Sequence, residues 1–318
     1  MLITPALASA NNGNWQTAQR WARMLAPDYR VHIAQTWDGT PADAMIALHA
    51  RRSAQSIAAW AESRPRRPLA VVLTGTDLYR DLAVDAATRR SLALADRLIV
   101  LHEGAPDDVP AEHRAKCVVC LQSTGTRRAL PKTRRHLRAL MVGHLRDEKD
   151  PRTAFSAMRK LADRDDILLD HIGAALDESL GREAQALMGD QPRYRWLGAL
   201  PHAATLRHIQ RAHVLVHPSA MEGGAHAVIE AIRSGTPVLA SKVSGNVGIL
   251  GAGYRGYFAP GDAGGLAVLL QRVRADAAML QALRAQCDQR APLFDPGRER
   301  ATLRGLIALL LESRIERP

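Results

Sequence analysis

A repeating alternation constrains this chain more than any other feature: short apolar runs rich in Val, Ile and Leu, separated by stretches whose apolar residues recur at helical spacing. The first series of runs covers residues 2–4, 31–34, 45–48, 69–73, 97–101 and 117–121, with helices predicted over 15–26, 54–62 and 85–93. A run of consecutive apolar residues has no polar face, so as a strand it must be buried on both sides. Repeated in this order, such runs predict βαβ units and a parallel sheet covered on both faces. The pattern breaks at residues 122–138, which are polar, strongly basic and poor in periodic apolar residues. A second series follows, with strands over 139–142, 167–172, 194–197, 214–217, 237–240 and 257–258. Its helices span 152–162, 177–187, 202–211, 225–234 and 264–274.

The predicted fold class is α/β, two Rossmann-like, doubly wound domains facing across a cleft. The expected boundaries are 1–124, a basic linker over 125–138, 139–295, and a C-terminal segment over 296–318. The last carries an amphipathic helix (Leu303, Leu306, Ile307, Leu310) that packs on the domains. Open α/β sheets bind ligands outside the carboxyl ends of their strands, which directs attention to the strand-end loops.

A length of 318 residues suits two such domains. No apolar run approaches the 18 or so residues of a membrane span, and the N-terminus lacks a basic, then apolar, signal pattern, so a cytoplasmic protein is expected. Cys117 and Cys120 form a CxxC string with no second pair to complete a zinc site. On a strand, residues three apart point to opposite faces. Two further strings fail their context. Gly251–Gly256 is literally GxGxxG, but it leads into a short strand and not a helix, so it is no dinucleotide fingerprint. Asp163-Arg164-Asp165 sits at a helix end and reads as a solvated turn. No histidine spacing supports a metal site, so no metal or other cofactor is expected.

The informative stretch is HPSAMEGGAHAVIEAIRSGTPVLASKVSGN, from His217 to Asn246. It reads as strand end, Gly-rich turn, helix, Gly-Thr-Pro and strand. Gly223 and Gly224 let backbone approach a ligand, and the helix that starts there offers free N–H groups to an anion. Glu230, inside an apolar helix, is costly unless it accepts hydrogen bonds, as from ribose hydroxyls. Either Glu222 as a solvated turn residue or Glu230 paired with an arginine would be unremarkable singly; together with the flanking glycines and Pro237 they point to a ligand site.

This stretch resembles the donor segment of the GT-B retaining glycosyltransferases of family 4: Glu, seven residues, Glu, then Gly-x-Pro-Val. The resemblance implies a metal-independent transferase using a nucleotide sugar. In it Glu222 meets the sugar hydroxyls, Glu230 binds the ribose, and Gly223, Gly224 and Ala225 face the sugar with the later loop Ser244, Gly245 and Asn246. Upstream, VGHLRDEKDP matches the family's diphosphate loop. Gly143 opens it, Lys149 takes the lysine position, His144 stands where the family has arginine, and Arg146 supplies a nearby cation for the leaving diphosphate. Gly173 and the Gly198–Leu200 loop, including Leu200, match the segments bordering the nucleotide.

The first domain departs from the family. Thr74 stands where many members carry a histidine, which leaves a hydroxyl acceptor without an evident base. An acceptor already ionised would instead need cations, and Arg51 and Arg52 follow His49 at the end of the third strand. The strings ANNGNWQTAQRW, IALHARRSA, LTGTDLY and MVGHLRDEKDP are similar to those of the selenosugar synthases of selenoneine biosynthesis. That resemblance implies transfer from UDP-N-acetylglucosamine or UDP-glucose to selenophosphate, with Asn12, Gly13, His49, Arg51, Arg52 and Thr74 forming the acceptor pocket. For His49, a satisfied strand-end role is an equal alternative.

Two other readings compete. One is an ordinary hexosyltransferase acting on a lipid or glycan hydroxyl. The other is a nucleic-acid-binding protein, prompted by 43 Lys and Arg against 32 Asp and Glu but opposed by an aromatic content of 4% and the absence of a recognisable binding motif. The charge concentrates in residues 127–160, with eleven basic and three acidic residues, and again in 51–67. That distribution favours loops that gather phosphorylated small molecules, with no nucleic acid and no stable membrane insertion.

Overall fold

The computed structural model describes residues 1–7, 13–64 and 67–312. The chain divides into two units, Met1–Ser123 with Asp295–Pro318, and Thr124–Phe294. Each is built on a six-stranded, all-parallel sheet. In the first, β1 (Leu2–Ile3), β2 (Ile33–Ala34), β3 (Met45–Leu48), β4 (Leu69–Leu73), β5 (Arg97–Val100) and β6 (Cys117–Val119) lie in the order β2-β1-β3-β4-β5-β6. In the second, β7 (Leu137–Val142), β8 (Ile167–Ile172), β9 (Tyr194–Trp196), β10 (Val214–His217), β11 (Val238–Ser241) and β12 (Tyr257–Phe258) lie in the order β12-β11-β10-β7-β8-β9. All twelve predicted strands are present, their ends displaced by at most two residues. Strands buried on both faces leave a strong mark in sequence: every residue of β3, β4, β8, β10 and β11 is buried.

The helices cover the two faces of each sheet. In the first unit, Ile57 and Trp60 of helix Ala54–Ser63 and Leu92 of helix Ala86–Leu94 pack on one face with Met45, Val71 and Leu98. On the other face, Ala18 and Trp21 of helix Gly13–Leu25 meet Leu303, Leu306, Ile307 and Leu310 of the last helix, Pro296–Glu312. Buried Glu299 fastens that helix, accepting from Arg20 (3.0 Å), Trp21 Nε1 (2.6 Å) and the Ser123 N–H (2.9 Å). Cys117 and Cys120 fall in the clusters on opposite faces of this sheet, as alternation requires.

The basic segment before β7 is laid along the second unit. The Arg127 N–H donates to Arg233 O (2.9 Å), the Leu130 N–H to Gln210 O (3.0 Å), and Lys132 Nζ to Ala212 O. These carbonyls end helices His226–Arg233 and His202–Arg211, where unsatisfied C=O groups and the dipole favour cations. In a βαβ sheet the helices run back against the strands, so these ends lie at the amino edge. The cations of residues 127–135 therefore stand at the edge opposite the strand-end loops, which corrects the expectation that this charge gathers substrate. Leu137 and Arg138, expected to close the linker, begin β7.

Candidate active site

In the second unit the strand order reverses between β7 and β10, the position at which open α/β sheets bind ligands. The loop leaving β7 ends in a short turn, Asp147–Lys149, followed by Asp150 with φ +44°, whose carboxylate caps helix Pro151–Lys160 through the Thr153 N–H (3.2 Å). That turn aims Lys149 at the loop leaving β10. There Lys149 Nζ pairs with Glu222 Oε1, and His217 Nε2, at the end of β10, donates to the same oxygen (3.0 Å). The Ala220 N–H donates to Glu148 O (3.0 Å), which fixes the two loops to one another. Gly245 completes the corner, since a Cβ there would lie 2.0 Å from Glu222 O. Glu222 is 8% exposed; burial by itself would raise its carboxyl, but Lys149 and then His217 hold it well below the usual range.

Glu230 lies one turn from the end of helix His226–Arg233 and is 4% exposed. Its Oε1 accepts from His202 Nε2 (2.6 Å) and lies 3.3 Å from His226 Nδ1. Burial again raises the carboxyl, and the two histidines overcome it, bringing it to about 2. The same bond raises His202. The two glutamates therefore share a design. In each, Oε1 is pinned by two donors, while Oε2 has no hydrogen-bond partner among the described residues and is not sealed from solvent.

The neighbouring loops are laced together beneath them. The Gly143 N–H donates to Ile172 O (2.9 Å), the Leu145 N–H to Ala174 O (2.9 Å) and the Gly173 N–H to Gly198 O (2.8 Å). A Cβ on Gly173 would lie 1.9 Å from Gly143 O, so that contact requires glycine. His144 Nδ1 accepts the Ala174 N–H (3.0 Å), and burial, with Arg146 and Lys149 adding to it, lowers its pKa. His144 is thus a neutral Nε2–H donor where a cation would otherwise stand. Arg146 is 40% exposed and 4.0 Å from Glu148. Gly198 has φ +67°, and Leu200 is half-buried. Gly223, Gly224 and Ala225 lead into helix His226–Arg233, whose first turn no side chain caps. Ser244, Gly245 and Asn246, expected as a loop, open helix Ser244–Leu250. Asn246 is turned inward, its Nδ2 donating to Ser241 O (2.9 Å). As the third residue of a helical turn it points away from Ser244, so it does not face a sugar with the other two.

The carboxyl edge of the first sheet is built differently. Asp77, fully buried, accepts from the Ala50 (2.9 Å), Thr74 (2.9 Å), Gly75 (2.8 Å) and Leu78 (3.2 Å) N–H groups. His49, at φ +70°, accepts the Arg52 N–H at Nδ1 (3.4 Å) and reaches Thr76 Oγ1 through Nε2 (3.0 Å). Both ring nitrogens are committed, and burial lowers the imidazole pKa against the pull of Asp77. His49 is thus a satisfied strand-end histidine. Arg51 pairs with Asp85 (2.7 Å) and Asp81 (3.4 Å) while its side chain stays 53% exposed. Arg52 and Thr74 remain at this edge, and Gly13 is exposed at the start of its helix. Asn12 lies outside the described residues. The sequence reading did not single out His217, whose partner Glu222 lies in the same loop, or Asp77, which ties the loop after β4 to Ala50 beyond β3. Each stands directly at or beyond a strand end, the one local signal that could have marked it.

Two parallel-sheet, Rossmann-like domains with a glutamate pair at the second switch point define the GT-B glycosyltransferase class. The family profile described as Glycosyl transferases group 1 matches residues 122–293, and the chain belongs to that family. Among solved structures, sucrose-phosphate synthase from Thermosynechococcus elongatus is 19% identical with a TM-score of 0.73, covering 98% of each chain. HepE from Anabaena, in complex with UDP and glucose, is 18% identical with a TM-score of 0.67, covering 85% of this chain and 78% of that one. A mutant of TarM from S. aureus, in a complex containing UDP, is 13% identical with a TM-score of 0.65; this chain covers 57% of it and 86% of this chain is covered. At such identities these structures show the fold. No curated protein matches the sequence.

Proposed function

We propose that this glycosyltransferase takes its sugar from a UDP-sugar, UDP-N-acetylglucosamine or UDP-glucose, and transfers it to selenophosphate without a metal. The observation that supports the donor half is the pair of half-pinned glutamates. A carboxylate with one oxygen fixed and the other open accepts a hydroxyl in a set direction, and Glu222 and Glu230 offer two such acceptors on one helix and its leading loop. Glu222 serves the sugar hydroxyls and Glu230 the ribose. Lys149, with Arg146 beside it and the His144 Nε2–H, faces the diphosphate, where a fixed cation stabilises negative charge as it develops. In the transfer the bond from the anomeric carbon to the diphosphate oxygen breaks, a carbon–selenium bond forms, and UDP leaves with the electron pair. HepE, TarM and a pneumococcal O-GlcNAc transferase are each found with UDP, which supports UDP as the leaving group here.

The acceptor half is supported by the committed state of His49. With both its nitrogens bonded within the protein, His49 is not set up as a base, and a selenium nucleophile already ionised needs none. A second reading, transfer to a hydroxyl, is favoured by one cluster: His102, just beyond β5, contacts the Tyr79 hydroxyl (2.6 Å), which donates to Asp108 (3.2 Å). The test is incubation with a panel of UDP-sugars, with and without selenophosphate, measuring UDP release and product mass. The proposal expects UDP release that depends on selenophosphate and a product carrying selenium. Release indifferent to selenophosphate overturns it, and a product formed on a hydroxyl acceptor establishes the second reading.

A further inference from the structure

At the amino edge of the second sheet, away from the glutamates, lies a cavity of about 500 Å³ whose walls include Arg127, Arg128, Arg233, Arg284, Asp288 and Gly235. Four arginines and one aspartate line it. Two of the four have structural duties. Arg127 holds Thr124 Oγ1 (3.1 Å) and Gly125 O (2.8 Å), and Arg233 holds Thr124 O (3.1 Å) and Ala291 O (3.2 Å). Those bonds are what helix C-termini and an extended segment ask of arginine.

The other two have no such duty. Arg128 is exposed, and its side chain makes no hydrogen bond or ion pair among the described residues. Among the described residues the one ion pair of Arg284 is with Asp288, at 3.8 Å, and its side chain is 54% exposed. Its Nη2 leans over Gly235, close enough that a Cβ there would come within 3.4 Å. Lys132 lies near enough to feel Arg284; burial first, and then that arginine, lowers its ammonium to about 8. The local field is thus strongly positive, with a concave wall, a bare glycine backbone and two forks of donors left over.

We propose that this cavity is a second anion site, which takes a small phosphate-bearing ligand held by Arg128 and Arg284. Guanidinium groups match phosphate oxygens two at a time, and two of them on one cavity wall suit a dianion better than a carboxylate. The volume admits a phosphate or a phosphate ester. The site stands apart from Lys149 and Glu222 and does not depend on the donor assignment.

Calorimetric titration of the full chain tests this, with inorganic phosphate in one arm and glucose 6-phosphate, a phosphate ester, in the other. Saturable binding is expected in at least one arm, and the arm that binds identifies the source of the phosphate. The R128Q/R284Q double variant should lose about tenfold or more in affinity, while the parent should bind equally well with UDP present in excess. Both arginines are exposed, so the double variant should keep the parent's unfolding transition. The proposal is overturned by no saturation in either arm up to about 10 mM, by unchanged affinity in the double variant, or by loss of binding when UDP is present in excess. Tighter binding of a DNA duplex through the same two arginines at physiological salt would assign the surface to nucleic acid, and also overturns it.

Discussion

Each sheet places a buried carboxylate in the loops at its carboxyl edge, and the two are used in opposite ways. Asp77 in the first unit is surrounded by four backbone N–H donors from the loops after β3 and β4, so both of its oxygens are occupied by the protein. Glu222 in the second is held through a single oxygen by Lys149 and His217, and its other oxygen is open. Backbone donors saturate a carboxylate and freeze the loops around it. Side-chain cations neutralise one and leave acceptor capacity for a ligand. The carboxyl edge of a parallel sheet thus carries a structural knot in one unit and a candidate binding group in the other.

The largest effects should come from breaking the second arrangement. Lys149→Ala and Glu222→Ala are each expected to lower turnover by about 10²–10³, the cost of removing one preorganised charge-stabilising group, with circular dichroism like the parent's. Near-normal turnover by either would remove the donor-site assignment. Asp77→Asn should do the reverse. It turns amide hydrogens toward backbone N–H groups and should cost about 1–3 kcal/mol of stability, seen in denaturant unfolding, without weakening UDP binding. A loss of UDP affinity there would erase the contrast between the two edges.

His217 gives a finer test. His217→Leu removes a donor from Glu222 and should reduce kcat/KM for the donor by about tenfold, a lost bond to a charged group. His217→Gln, whose Nε2–H2 can replace the donor, should recover much of it. Equal loss in both variants would mean that the imidazole does more than hold Glu222.

The strands were legible because burial on both faces leaves contiguous apolar runs, and the glutamate pair because its spacing and glycines are local. Helix Ala277–Arg290 was not legible: only Leu283 and Cys287 are buried along it, too sparse a stripe to show a helical period. The turn at Ser244 read as a loop because two glycines interrupt so short a helix. The roles of His217, Asp77 and Arg127 depend in part on partners 5 to over 100 positions away: Glu222, the Ala50 N–H and Arg233 O. No local pattern encodes such partners. The charge excess shows the limit plainly, since part of it caps helix ends instead of meeting substrate.

The smallest expected effect is in pH. The Glu230 carboxyl is depressed to about 2, so its contribution is present above its unfolded range and is lost as pH falls toward 2. His202 is raised, so its contribution is complete below its unfolded range, near 6.5, and is lost as pH rises through the folded value. The pair is therefore strongest in mildly acidic solution. Because the His202 side chain is 57% exposed, the difference between parent and His202→Ala should be a few tenths of a kcal/mol. It should shrink as pH rises above neutrality; a difference constant from pH 5.5 to 9 would contradict a charged pair.

The contrast between the two edges is tested most directly by calorimetric titration of UDP into the parent and Glu230→Ala. If the open oxygen of Glu230 holds the ribose, the parent binds saturably and the variant loses about tenfold or more in affinity. An affinity in Glu230→Ala equal to the parent's would contradict the account.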